Sequence, residues 1–345
     1  MSQIHNILFY GGSITCGCGA SDYKNAWASL LFQKLQTILP GPLKMFNAAI
    51  SGTGSVFGSA RLSTHVLPCK PDLVFVEFSV NDYYQTLSEP DRIRSSMESI
   101  VRDLKENNPD IAIIFLYTTV GGKNGSNIHH EIAAHYGIFE IDCQAALQKR
   151  IDEGCSWSDF LPDNVHPNDE GHRIYAETAF REILSHPECF SSIKDGIVPY
   201  CPSSPKNNLC LFRKEDILES KGFVFGDSFD FAVTLHLESL RLKNAVRSEN
   251  PGDYFVTEFT GTGFSLYNQI SLHGGMISVE VDGQLQKEGN FFYPYTKDTP
   301  EYVLFYSLYG LENKKHTLKI TVLENQDERS SGHLVSIAGL ITETI

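Results

Sequence analysis

No apolar run in this chain is long enough to cross a bilayer. The longest, such as Ile111 to Tyr117, falls far short of the about 20 residues that a spanning helix needs. Basic residues are in the minority, 28 against 42 acidic ones, for a net charge of −14. No Lys/Arg stripe gathers them, so nucleic acid and anionic membranes are disfavoured as partners. The start, Met1 to Asn6, lacks a charged segment followed by a long apolar stretch, and reads as the approach to a first strand. The expected compartment is therefore the cytoplasm; a trimmed leader would instead place the protein outside the cell. The eight cysteines are then expected to be thiols, and no second Cys pair stands at zinc spacing. Repeats and low-complexity tracts are absent. What is present is ample apolar mass, 41% hydrophobic against 20% charged residues, which excludes a disordered chain. The length of 345 residues allows two domains at roughly 150 each, both able to bury a core.

The first half alternates short apolar runs with helix-like segments. The runs are 7–10, 45–50, 73–80, 111–118 and 138–143. Between them, 26–39, 91–107, 127–136 and 143–153 have helical spacing, and a last helix fits 168–185 with Asn168 as its N-cap. Strands apolar on both faces and alternating with helices predict an α/β fold with a parallel sheet covered on both sides. Beyond about residue 186 the composition changes. Prolines 199, 202 and 205 mark a linker over 186–221. From 222 to 345 the pattern is strand and turn, with candidates at 229–237, 254–259, 263–270, 276–281, 302–309, 316–323 and 334–341. Val281-Asp282-Gly283 is a hairpin turn, and seven short strands predict an antiparallel sandwich. Charge does not separate the halves: each carries 14 basic and 21 acidic residues.

Open parallel sheets bind ligands at the carboxyl ends of their strands. The first run is followed by Gly11-Gly12-Ser13-Ile14-Thr15, the second by Asn47-Ala48-Ala49-Ile50-Ser51-Gly52, the third by Val80-Asn81-Asp82. Asp163-Asn164-Val165-His166-Pro167 precedes the last helix. A hydroxyl, glycine amides, a carboxamide and an Asp/His pair thus converge on one edge. That set serves acyl transfer. A serine hydroxyl becomes a nucleophile when a base takes its proton, and His166 is that base. Asp163, three residues earlier, holds the far ring nitrogen and fixes the tautomer. The amides of Ser13 and Gly52 and the side chain of Asn81 are the candidate donors to the oxyanion, with Gly54 as an alternative to Gly52.

These four blocks, in this order and spacing, resemble the SGNH-hydrolase superfamily, also called GDSL-type esterases and lipases. The resemblance implies a flavodoxin-like three-layer α/β/α domain over 1–185. It also implies a Ser13/His166/Asp163 triad and an oxyanion hole from Ser13, Gly52 and Asn81. Two positions depart from the family pattern. Gly12 stands where Asp is usual, which puts the loop conformation in question, and Ser79 stands where Gly is usual, which crowds the pocket or adds a hydroxyl. The 222–345 segment resembles the galactose-binding-like jelly rolls that accompany carbohydrate-active enzymes, through Phe259-Thr260-Gly261-Thr262-Gly263-Phe264 and His316-Thr317-Leu318-Lys319-Ile320.

Other signals fail on spacing. The histidines of His130-Glu131-Ile132-Ala133-Ala134-His135 are five apart, so they do not share a helix face as zinc ligands would. Gly12 to Gly17 has phosphate-loop glycines, but Cys18 stands where Lys is needed. No Gly-x-Ser-x-Gly elbow occurs. Asp82 reads as a turn or capping residue and His172 as an exposed helix residue. Glu77, inside an apolar strand, is either ion-paired or near the pocket. Trp157 and Tyr83 stand equally for sugar stacking and for core. The expected function is a serine esterase on an acylated, chiefly O-acetylated, carbohydrate, needing no metal or organic cofactor. The alternatives are an O-acetyltransferase drawing on acetyl-CoA to modify a capsular or cell-wall glycan, and a non-catalytic glycan-binding protein.

Overall fold

The computed structural model describes residues 4–86, 89–191, 196–201, 206–225, 245–294 and 301–344. Contacts divide the chain in two, with the described residues through 201 in one unit and those from 206 in the other.

The first unit runs β1 (Asn6–Gly11), α1 (Ser13–Cys16), α2 (Trp27–Leu35), β2 (Lys44–Asn47), α3 (Ser55–His65), β3 (Leu73–Glu77), α4 (Ser79–Thr86), α5 (Pro90–Asn107), β4 (Ala112–Tyr117), α6 (Ser126–Tyr136), β5 (Phe139–Asp142), α7 (Cys143–Asp152) and α8 (Asp169–Ser185). The five strands are all parallel in the order β2-β1-β3-β4-β5. This is the α/β architecture expected, with the flavodoxin-like order that reverses direction between β1 and β3. Alternate residues of each strand explain why both faces need a helical layer. Phe9 stacks on Phe75 and meets Trp27 of α2 edge-on, in one cluster with Leu31, Leu147, Tyr175 and Ala179. Tyr10, on the opposite face, meets Phe78 edge-on and lies under the guanidinium of Arg61 in α3. Each such fully buried apolar side chain contributes about 1.5–3 kcal/mol.

Asn168 caps α8, its Oδ1 accepting from Gly171 N–H at 3.0 Å. Helices α3 and α4 carry no clear signal in the sequence. The segment 55–65 carries no charged stripe, and its N-cap is Gly54, which has no side chain to signal a start. The segment 79–86 continues a run that reads as strand.

The second unit contains β6 (Lys206–Leu211), β7 (Ile217–Lys221), β8 (Val224–Phe225), β9 (Val246–Ser248), β10 (Tyr254–Ile270), β11 (Met276–Val281), β12 (Gln284–Leu285), β13 (Gly289–Asn290), β14 (Glu301–Val322) and β15 (Val335–Thr344). All its ladders are antiparallel. They enclose a core of Phe255, Phe264, Leu266, Ile277, Val279, Leu318, Ile320, Val335 and Ile337. Asp282 and Gly283 both have positive φ, 52° and 77°, and link β11 to β12 in a two-residue hairpin.

Three features differ from the sequence reading. The candidates 254–259 and 263–270 form one strand, because Thr260-Gly261-Thr262 is a bulge and not a turn. Gly261 has φ +149°, and a Cβ there would lie 2.2 Å from the Glu343 carbonyl oxygen of β15. The candidates 302–309 and 316–323 likewise merge into β14. Within the expected linker, β6 pairs with β15 and β7 with β10, short polar strands whose partners lie over 30 residues away in sequence. The candidate 229–237 lies outside the described residues. Among the described residues no helix is long and apolar enough to cross a membrane.

Candidate active site

The sheet reverses its winding between β1 and β3, and the loops leaving those two strands diverge there. Ser13 begins α1 immediately past β1, and Asn81 lies in the first turn of α4 past β3. Ser13 is nearly buried, 8% exposed. Its hydroxyl lies 2.8 Å from Nε2 of His166, and Nδ1 of His166 lies 2.6 Å from Oδ2 of Asp163. A carboxylate can only accept, so Nδ1 donates to Asp163. The neutral ring then leaves Nε2 free to accept the Ser13 proton.

Asp163 is placed by its own turn. Its Oδ1 accepts the amide N–H groups of Val165 at 3.0 Å and His166 at 2.7 Å. Asn164, directly after Asp163, takes a left-handed φ of 71°, which brings the carboxylate back onto the ring. Burial pulls the Asp163 carboxyl upward, but the bonds from His166 and the two amides outweigh it and hold it below the usual carboxylate range.

Gly12 separates the strand end from Ser13 and touches two other blocks. A Cβ on it would lie 2.1 Å from Asn81 Oδ1 and 3.2 Å from the carbonyl oxygen of Thr53. In this chain a side chain at position 12 would displace the Asn81 carboxamide. Gly52 has φ +70°, the left-handed region that favours glycine. Ser79 does not crowd the site. It is fully buried, its Oγ accepting the Thr118 N–H at 3.2 Å.

Around these residues lies a supporting network that the sequence reading only partly reached. Asp82 is a capping residue, but for a distant element. Its Oδ1 accepts from Ser55 N–H at 2.8 Å, the first residue of α3, and its Oδ2 meets Nε2 of His129 at 2.8 Å. His172 is not exposed, as expected, but fully buried. Its Nδ1 accepts from Trp27 N–H and its Nε2 donates to the Cys18 carbonyl, both at 3.2 Å. The Cys18 amide in turn donates to the Ser13 carbonyl at 3.0 Å. Asp169 adds bonds from Ser21 N–H, Ser21 Oγ and Asn25 Nδ2 at 2.7, 2.6 and 3.0 Å. The loop after Ser13 is thus fastened to the helix that follows His166. A helical face shows a buried ring only when its partner helix is known, which is why His172 reads as surface from sequence alone.

Glu77 lies beside the site, and among the described residues no ion pair of its carboxylate is seen. It is fully buried, accepting Thr15 Oγ1–H at 2.8 Å and Thr118 Oγ1–H at 2.7 Å. Trp157 and Tyr83 are half-buried against the first unit's core. Of the histidines of α6, His129 is buried while His130 and His135 face Glu140 and the Val198 carbonyl. Among the described residues no group of three or more His, Cys, Asp or Glu is placed to hold a metal ion.

Residues 9–174 match the model of the GDSL-like lipase/acylhydrolase family. An acetylxylan esterase of Geobacillus stearothermophilus is 24% identical over 208 residues, spanning 51% of this chain and 93% of that protein. Among solved structures, a two-domain esterase active on acetylated mannans superposes with a TM-score of 0.82 at 23% identity, covering 99% of this chain and 91% of its own. A structure of such an esterase co-crystallised with mannopentaose gives 0.81 at 22% identity, covering 99% and 90%. At that identity the likeness establishes the fold.

Proposed function

We propose that this chain, a carboxylic ester hydrolase whose residues 9–174 belong to the GDSL-like lipase/acylhydrolase family, removes O-acetyl groups from an acetylated carbohydrate through an acyl-enzyme on Ser13. The observation that carries the reading is the unbroken line from the Ser13 hydroxyl through His166 to Asp163, at 2.8 and 2.6 Å. The Ser13 oxygen attacks the acetyl carbonyl while its proton passes to Nε2 of His166. The negative charge that develops on the carbonyl oxygen is met by the amides of Ser13 and Gly52 and by Asn81. Collapse breaks the ester bond, and the sugar oxygen leaves with the proton from His166. Water then attacks the acetyl-serine, gives its proton to His166, and releases acetate as Ser13 recovers its hydrogen.

The relatives that act on acetylated xylan and acetylated mannans support the substrate class. The second unit is read as a carbohydrate-binding-like accessory domain, supported by the two-domain fold shared with the mannan-active esterase. The test is acetate release from acetylated mannan and acetylated xylan without acetyl-CoA. Ser13→Ala should lower it by about a thousandfold or more with unchanged thermal unfolding. Release that survives the substitution, or that needs acetyl-CoA, overturns the reading.

A further inference from the structure

A carboxylate buried without a cation is costly, and a chain that keeps one has a use for it. Glu77 ends β3 and is fully buried. No cation is among the groups that weigh most on it. Arg61, a buried arginine of α3, donates to the carbonyls of Ala48 and Gly11. The groups that do face Glu77 are acidic or neutral: Asp82 from α4, Cys143 from the start of α7 and Tyr175 from α8, with Thr15 from α1 and Thr118 past β4. Among the described residues its charge is met by dipoles. Two are the hydroxyls of Thr15 and Thr118, at 2.8 and 2.7 Å, and the third is the amide of Gly12.

The identity of two donors gives the arrangement its meaning. Gly12 precedes Ser13 and Thr15 follows it by two, so the carboxylate grips the nucleophile's turn on both sides. The turn has little room to adjust: a Cβ on Gly11 would lie 2.4 Å from Thr15 Oγ1 and 2.5 Å from the Glu77 carbonyl oxygen. Thr118 anchors the same carboxylate to the end of β4, so the seat of Ser13 is referenced to two strands of the sheet.

We propose that Glu77 is a positioning residue for the esterase reaction, its carboxylate holding the Gly12 amide and the Thr15 hydroxyl so that the Ser13 oxygen faces His166. The proposal rests on Ser13 being the nucleophile. Protonation of Glu77 breaks the arrangement, because the acid must donate its hydrogen and one threonine hydroxyl must turn away to receive it. Burial pushes this carboxyl up to about 7, so the change falls within the working range of an esterase. The acid limb of activity should then require two protons to leave, one from His166 and one from Glu77.

The experiment is the pH profile of kcat and KM for 4-nitrophenyl acetate, measured on the full chain. Glu77→Gln should lower the kcat plateau about 10- to 100-fold with KM within about twofold, and turn a two-proton acid limb into a one-proton limb. A plateau equal to wild type, or an acid limb of unchanged steepness, overturns the proposal. Should Glu77→Gln fail to fold, Thr118→Val keeps the acid and removes one donor, so the acid limb should move to higher pH; an unmoved limb overturns it equally. Ser13→Ala run alongside separates the two readings. Activity that survives it sinks the nucleophile assignment, whereas its loss beside an indifferent Glu77→Gln sinks only the role of Glu77.

Discussion

Among the described residues two histidine–aspartate pairs occupy the first unit, and at the level of distance they are almost the same object. His166 and Asp163 meet at 2.6 Å, His129 and Asp82 at 2.8 Å. Their surroundings are opposite. The side chains of His166 and Asp163 are 31% and 57% exposed, those of His129 and Asp82 2% and 0%. The free nitrogen of His166 faces a serine hydroxyl. The second oxygen of Asp82 faces the amide that opens α3, and a Cβ on Gly54 would lie 2.2 Å from it. The same chemical pair therefore does two jobs, and water access with the third partner decides which. One pair is placed where the proposed reaction needs a proton moved; the other ties the loop carrying Gly52 to the helix carrying Asn81.

The largest effect expected lies on the exposed pair. His166→Ala should reduce acetyl-ester turnover by about 10⁴-fold or more, and Asp163→Ala by about 10²- to 10⁴-fold, since an imidazole without its carboxylate loses tautomer and support. Their unfolding free energies should change by less than about 1 kcal/mol, because pairs this exposed contribute little. Steady-state kinetics and urea melts on the same preparations check both halves of the statement. If Asp163→Ala keeps its turnover and loses its fold, the two pairs have been assigned the wrong way round.

The buried pair should behave in reverse. Asp82→Ala strands the Nε2 of His129 and the Ser55 amide in a dry interior, which costs about 3–5 kcal/mol of unfolding free energy. The urea midpoint should fall steeply, while fluorophosphonate still labels Ser13 in the fraction that remains folded. Full stability with no labelling would make Asp82 part of the chemistry and dissolve the distinction.

What was legible in the sequence follows from the range over which each interaction acts. Asp163 reaches His166 within one turn, Asn168 caps its own helix and Asp282-Gly283 turns its own hairpin, so each appears as a short pattern of residue types. The four site blocks are legible for the same reason: each is a local loop at the end of a strand. Asp82 capping α3, His172 bonding Trp27 and Cys18, and Glu77 gripping Gly12 and Thr15 are bonds between segments that only the fold brings together. In the second unit Gly261 falls in the gap between two strand candidates, whereas a neighbouring strand passing at close range requires a glycine inside one continuous strand. Polar β6 and β7 carry too little alternation to stand out before their partners are known.

A third histidine gives the smallest effect and the sharpest control on the comparison. His172 is buried like His129 yet stands six residues after His166, and its two ring nitrogens hold the loop that follows Ser13. Its Nδ1 accepts from an amide, so the ring must be neutral, and burial lowers it from 6.5 to about 4. The sign of the linkage is set by which state holds the proton. Between pH 6.5 and 4 the unfolded chain protonates this ring and the folded chain does not, so the stability it contributes is present above pH 6.5 and is lost as pH falls. At pH 4.5 the loss should amount to roughly 2–3 kcal/mol. His172→Gln should remove that part of the acid dependence while leaving the comparable share due to His65, whose ring burial lowers to about 3. Urea unfolding of both proteins at pH 7 and pH 4.5 measures the difference. Identical acid sensitivity in the two would mean that the ring is reached by water, and that burial does not decide what a histidine in this fold can do.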